Sequence, residues 1–261
     1  MERVKIGLKD HVAYVTLSRP DKHNALDDAM IEAIVAAGEE LATSDARAVV
    51  LAGAGSSFCA GLDMASFATL MQRDLETLVM QRTHHDANLF QEVAMVWRRL
   101  PMPVIAAVQG ACFGGGLQLA LGADMRISHP EAQLSVMEMK WGLIPDMGGM
   151  ALLPQLLRSD VLRRLTYTAE VITAQQAFDW GLVTELSPSP LSRAQELALQ
   201  IAGQSPSAIR AAKRLIATSE SGASQAEVLL AESAEQLALI GQPDQMEAVA
   251  AQLQKRKPSF R

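Results

Sequence analysis

The run Phe113-Gly114-Gly115-Gly116-Leu117-Gln118-Leu119-Ala120, set a few residues after the apolar stretch Val104-Ile105-Ala106-Ala107-Val108, constrains this chain more than any other feature. A buried strand leads into three consecutive glycines and then directly into a helix. Glycine lets backbone N–H groups stand bare beside a ligand, without a side chain to hold it off. At a helix N-terminus those groups also gain the partial positive charge of the helix dipole. Such a turn can hold an oxygen that becomes negative during a reaction; it can equally be a tight turn in which glycines permit close packing. A second glycine-rich loop, Gly53-Ala54-Gly55-Ser56-Ser57-Phe58-Cys59-Ala60-Gly61-Leu62-Asp63, follows another short apolar strand, Ala48–Leu51. Two such loops could each supply one N–H to the same oxygen.

With 261 residues, the chain can bury a sizeable core. Hydrophobic residues at 49% and charged residues at 20% are ordinary for a soluble enzyme, and the 13 methionines suggest an adaptable apolar pocket. A net charge of −6 argues against a nucleic-acid partner, and Lys255-Arg256-Lys257 is only a short basic cluster. The two cysteines, Cys59 and Cys112, need not pair and suit a reducing compartment. The start of the chain alternates polar and apolar residues, and no apolar run reaches membrane-spanning length, so the expectation is a cytoplasmic protein without a membrane partner.

Val4–Leu8 and Val12–Leu17 read as a hairpin, followed by a loop and a helix from about Asp27 to Leu41. Met125–Ser128 and Gln133–Ser135 read as short strands. The segment from Ser66 to Arg99 reads as polar and helix-prone, a possible cover over a pocket. Its pair His84-His85 lacks companion ligands, so no metal is expected. After Pro188-Ser189-Pro190 the rest of the chain reads as helices, including Arg193–Gly203, Pro206–Thr218 and Gln225–Ile240. The fold class is therefore α/β with an all-helical C-terminal part.

Two acids sit in apolar surroundings beyond the glycine helix, Glu138 and Asp146 in Val136-Met137-Glu138-Met139-Lys140-Trp141-Gly142-Leu143-Ile144-Pro145-Asp146. Apolar surroundings disfavour the charged carboxylate and fit it for proton transfer near neutral pH. A turn at Gly142 and Pro145 could return Asp146 to the pocket of Glu138. The structural alternatives are a helix cap for Asp146 and an ion pair with Lys140 or Arg126 for Glu138. Gln118 could hold a water or a substrate oxygen but cannot exchange protons. Asp124 and Arg126 read as an ion pair, and Cys59 lacks a histidine to activate it.

Arg19-Pro20 with Asn24-Ala25-Leu26, Phe58-Cys59-Ala60-Gly61-Leu62-Asp63, Ile105 to Gly110 followed by Gly114-Gly115-Gly116, and Gly142-Leu143-Ile144-Pro145-Asp146 with Gly148-Gly149 resemble, in order and spacing, the enoyl-CoA hydratase/isomerase (crotonase) superfamily. The resemblance implies a crotonase-like spiral of ββα units over residues 1–190 and a helical oligomerisation region over 191–261, forming a trimer or a dimer of trimers. It implies an acyl-CoA thioester substrate, with no cofactor beyond the coenzyme A of the substrate itself. The oxyanion N–H groups fall on Leu62 and Gly115, and Ala60, Asp63, Gly114 and Trp141 are the candidate substrate-binding residues around them. Glu138, Asp146 and Gln118 are the candidate catalytic residues.

The family's hydratases carry glutamate at both 118 and 138, whereas its dienoyl-CoA isomerases carry acids at 118, 138 and 146. Other members shift one double bond with a single acid at 138 or 146. Aryl-CoA dehalogenases match Asp146 but carry tryptophan where Glu138 stands, and dihydroxynaphthoyl-CoA synthases share only the aspartate. With Gln118, Glu138 and Asp146, double-bond isomerisation is the leading expectation. Hydration by Glu138 is the close alternative, and a non-catalytic acyl-CoA-binding protein is the alternative of another class.

Overall fold

The computed structural model describes residues 2–66 and 72–260. The chain begins with strands β1 (Val4–Lys9) and β2 (Val12–Leu17), closed by Asp10 and His11, both at positive φ (50° and 60°). A two-residue turn of that hand matches the twist of the paired strands. Helix α1 (Asp28–Ala42) follows, its first turn capped by the Asp27 carboxylate, which accepts from Met30 N. Its apolar stripe, Met30, Ile31, Ile34, Val35 and Leu41, is buried. Strand β3 (Ala48–Gly53) is buried at every residue.

Helices α2 (Leu75–Met80) and α3 (Leu89–Arg99) lead to β4 (Val104–Val108), β5 (Ala111–Phe113) and α4 (Gly115–Leu121). Strands β6 (Met125–Ser128) and β7 (Gln133–Ser135) precede a 3₁₀ turn over Glu138–Trp141 and the short helix α5 (Gly149–Leu152). Then come α6 (Ser159–Thr168), β8 (Ile172–Thr173), α7 (Ala174–Asp179) and β9 (Glu185–Leu186). Four helices end the chain: α8 (Pro190–Ala202), α9 (Pro206–Glu220), α10 (Gln225–Leu239) and α11 (Pro243–Leu253).

The large sheet runs β1-β2-β3-β4-β6-β9, antiparallel at the hairpin and parallel beyond it, and a small sheet runs β5-β7-β8. From β4 onward, successive turns of chain place one strand in each sheet, giving an α/β spiral of ββα units. The parallel strands are covered on both faces. On one side Val49, Leu51, Val104, Ala106 and Val108 join the main core with α1, α3 and α4. On the other, Val50, Ala52, Ile105 and Ala107 meet α8 through Ala194, Ala198 and Ala202, a four-residue repeat of small side chains that brings the helix close to the sheet. Helix α8 thus belongs to the packing of the sheet.

Part of the expected cover, 67–71, lies outside the described residues. Of the rest, α3 is a core helix: Phe90, Val93, Ala94, Val96 and Trp97 are buried, and Asn88 and Gln91 form a reciprocal cap at its start. Its sequence reads as polar because Glu92 is buried too, in an ion pair with Arg99. Asp124 and Arg126 do not pair with each other. Asp124 takes Lys213 Nζ at 2.8 Å, while Arg126 donates to the Leu182 and Ala123 carbonyls and burial pulls its guanidinium down to about 10. Among the described residues no helix is long and apolar enough to cross a membrane.

Candidate active site

The two glycine loops meet. At Gly61 (φ 92°) a Cβ would stand 2.7 Å from Phe113 O and 3.6 Å from Gly115 N, so the first loop lies directly on the second. Gly114 enters α4 at φ 50° and ψ −122°, a backbone conformation closed to side-chain-bearing residues, and anchors itself by donating to Ser135 O. Leu62 is held against Leu26 by a parallel bridge, with Leu26 N donating to Gly61 O and Asp63 N to Leu26 O. The first loop is stapled from behind by buried Asn24, whose Nδ2 donates to the carbonyls of Ala54, Ser57 and Phe58 at 2.9, 2.9 and 3.1 Å. Asn24 belongs to the sequence motif, but its role is invisible there because all three partners are backbone atoms.

A cavity of about 230 Å³ opens where the loops join, lined by Ala60, Gly61, Leu62, Met64, Gly114 and Gly115 on one side. Met137, Glu138, Trp141, Leu143, Asp146 and Met147 complete its wall. The expected turn returns Asp146 to the cavity of Glu138: Gly142 closes the 3₁₀ turn at φ 69° and Leu143 N donates back to Glu138 O. Leu62 and Gly115, the two expected N–H donors, share this cavity with both acids. Ala60, Gly114 and Trp141 line it as well. Asp63 does not: its carboxylate accepts from Ala65 N and pairs with Arg19 at 2.7 Å, which holds it below the usual carboxylate range. The nearby guanidinium claims the charge that a substrate contact would need.

Burial raises the Glu138 carboxyl above the ordinary glutamate value, and the Asp146 charge adds to the effect. Its Oε1 accepts from Gln118 Nε2 at 2.6 Å, while its Oε2 is buried without a partner among the described residues. Neither Lys140 nor Arg126 is that partner. Asp146 sits at the exposed mouth, yet the pocket walls desolvate its carboxyl enough to raise it. It is not a helix cap: the N-cap of α5 is Gly148, and no side chain caps that helix. Gln118 lies behind the cavity wall, fully buried, with Oε1 accepting from Met147 N and Gly149 N at 2.8 and 2.9 Å. Cys59 is buried, donates to Asn24 O at 3.1 Å, and its thiol is pushed up to about 12, which leaves it inert as a nucleophile.

Chemically, the cavity brings Leu62 and Gly115, whose backbone N–H groups are the expected donors, beside two carboxyls raised by desolvation in an apolar setting. That combination can polarise a carbonyl oxygen and move a proton on a neighbouring carbon.

A family model described as enoyl-CoA hydratase/isomerase matches residues 7–261. The chain is 34% identical to a rat mitochondrial delta(3,5)-delta(2,4)-dienoyl-CoA isomerase over 78% of its own length and 64% of that protein's. It is 32% identical to the 2,3-dehydroadipyl-CoA hydratase of Escherichia coli, over 100% of this chain and 99% of the relative. The crystal structure of an enoyl-CoA hydratase from Bacillus anthracis superposes with a TM-score of 0.91 at 30% identity, covering 99% of this chain and 98% of that one. The fold is that of the crotonases, and the chain belongs to the enoyl-CoA hydratase/isomerase family.

Proposed function

We propose that the chain is an acyl-CoA isomerase that moves a carbon–carbon double bond along the acyl group of a CoA thioester. The observation that carries the reading is one apolar cavity lined by Leu62 and Gly115, the expected N–H donors, together with Glu138, whose buried Oε2 has no partner among the described residues. The two N–H groups donate to the thioester oxygen and stabilise the charge it gains as a proton leaves the acyl chain. Glu138 takes that proton as the C–H bond breaks. It returns the proton to another carbon of the delocalised enolate, leaving the double bond shifted and the thioester intact. Its raised value brings it nearer the working pH of a general base. Asp146, at the mouth, serves as the second proton carrier when the substrate is a diene. The reaction is redox-neutral and calls for no cofactor beyond the coenzyme A of the substrate.

The cavity wall supports an aliphatic acyl group. Met64, Met137, Trp141, Leu143 and Met147 supply apolar surface, and no lysine or arginine lines the cavity among the described residues. A distal carboxylate on the substrate would face Glu138 and Asp146 without a counter-ion.

Hydration is the second reading, favoured by the E. coli hydratase and by the ability of a lone glutamate to activate water. The test is to incubate the protein with 3-enoyl-, 3,5-dienoyl- and 2-enoyl-CoA thioesters while following ultraviolet absorbance. Conjugation gained from the 3-enoyl substrate, or a shifted diene, supports isomerisation. Loss of conjugation from the 2-enoyl substrate with formation of a 3-hydroxyacyl-CoA supports hydration. Binding without turnover of any of the three makes the protein a non-catalytic acyl-CoA binder and ends both readings.

A further inference from the structure

We infer that Gln118 is a positioning residue that holds Glu138 through Oε1 and thereby dedicates Oε2 to proton traffic with the substrate. The inference rests on the functional reading above only for the identity of the proton donor; the geometry stands by itself. The Gln118 amide has one possible orientation. Its oxygen faces two backbone donors, Met147 N at 2.8 Å and Gly149 N at 2.9 Å, so a flipped amide would set N–H against N–H. The nitrogen must therefore face Glu138, and it does so at 2.6 Å. Glu138 Oε1 is thus an obligatory acceptor, and a proton carried by Glu138 resides on Oε2, which has no partner among the described residues. The contact is closely fitted: a Cβ at Gly149 would stand 2.7 Å from Gln118 Oε1, so only glycine leaves room for the amide.

An acid at position 118 would work differently in this frame. One oxygen would still accept from Met147 N and Gly149 N, which favours its ionised form. The other would oppose Glu138 Oε1, and two oxygens at that distance need a proton between them. The proton would settle on Glu138, removing it as a base. Asp146 is the charged group acting on Glu138 from across the cavity. On its own turn Lys140 is exposed over the Trp141 ring, and on the adjacent α6 Arg163 and Arg164 are occupied by Tyr167 and Glu170.

The test compares the parent with Gln118→Glu and Gln118→Met in the full-length protein. Titration of Glu138 is followed by NMR of the carboxyl carbon in protein labelled with ¹³C-glutamate, the signal being assigned by its loss in Glu138→Gln. The same proteins give a pH profile of kcat and an affinity for octanoyl-CoA, an unreactive saturated thioester. In Gln118→Glu the Glu138 midpoint and the ascending limb of kcat should both move up by about one pH unit or more, cutting the rate about tenfold at pH values below the parent midpoint. In Gln118→Met, which removes the donor without adding charge, both should also move up, by less. Affinity for octanoyl-CoA should stay within about threefold, because Gln118 does not line the cavity. An unmoved midpoint in either folded variant overturns the inference. So does a large loss of affinity with kcat unchanged, which would make Gln118 a substrate contact. If the parent shifts no double bond while the midpoint still moves, the functional reading fails and the positioning role stands.

Discussion

Glu138 and Asp146 share a cavity but are held in different ways, and the difference sets what each substitution should do. Glu138 is fixed by the Gln118 amide and desolvated; Asp146 makes no side-chain hydrogen bond among the described residues and caps no helix. Glu138→Gln keeps shape and removes the proton carrier, so kcat on a verified substrate should fall by about 10²–10⁴ with little change in affinity. Asp146→Asn should be nearly as damaging with a dienoyl substrate and much milder with a 3-enoyl one. A fully active Glu138→Gln protein would refute the mechanism. The same side chain predicts a stability effect of definite sign. Burial raises Glu138, so the folded state binds its proton more tightly than the unfolded chain does. Its contribution is greatest below the ordinary glutamate value and is lost as pH rises through the higher folded one. Glu138→Gln should therefore melt at a higher temperature than the parent at neutral pH, with the advantage gone at about pH 4. Equal shifts at both pH values would mean that the carboxyl is not desolvated.

The glycine loops show how far elements can be read from residues. The apolar run Val104–Val108 coincides with β4, because a strand buried on both faces leaves an unbroken hydrophobic signal, and the short readings Met125–Ser128 and Gln133–Ser135 coincide with β6 and β7. Helix α1 starts one residue after its Asp27 cap, as its capping chemistry dictates. What stayed hidden depends on partners that carry no sequence signature. Helix α3 looked solvated because its buried Glu92 is neutralised by Arg99 seven residues on, although its Asn88–Gln91 capping box was there to be read. Gln118 looked like a water ligand because its true partners include the backbone N–H groups of Met147 and Gly149. Asn24 is the same case in the first loop, and it yields a prediction at this scale. Asn24→Ala leaves three carbonyls without their donor, two of those contacts fully buried. A buried polar group left unpaired costs about 1–3 kcal/mol. The loop that carries Leu62 should loosen, with turnover falling more than affinity for a saturated thioester. Chemical denaturation and steady-state rates check both halves, and an unchanged kcat would show that the staple serves folding alone.

At the scale of the molecule, the C-terminal helices leave more apolar surface than a solitary chain explains. Helix α10 has fifteen residues and none of them is buried; its Leu230 and Leu237 are 72% and 76% exposed, and Leu253 at the end of α11 is 80% exposed. Arg214 and Glu235 clip α10 to α9 through two hydrogen bonds of 2.8 and 2.6 Å, but such a surface pair contributes little. Isolated helices of this length are marginal in water, so α10 needs a covering surface. We propose that this surface is other copies of the chain, in a trimer or a dimer of trimers as the family resemblance implies. Each leucine buried on assembly would contribute about 1.5–3 kcal/mol. Leu230→Glu combined with Leu237→Glu should therefore dissociate the assembly, seen by light scattering as a fall to the mass of one chain, together with a lower melting temperature. The core sheet and α8 are packed within one subunit, so the dissociated variant should keep its far-ultraviolet dichroism apart from the loss of α10. A parent protein that scatters as a single chain at micromolar concentration would refute the assembly outright, because the exposed leucines would then have to be tolerated in water by a helix with no buried face.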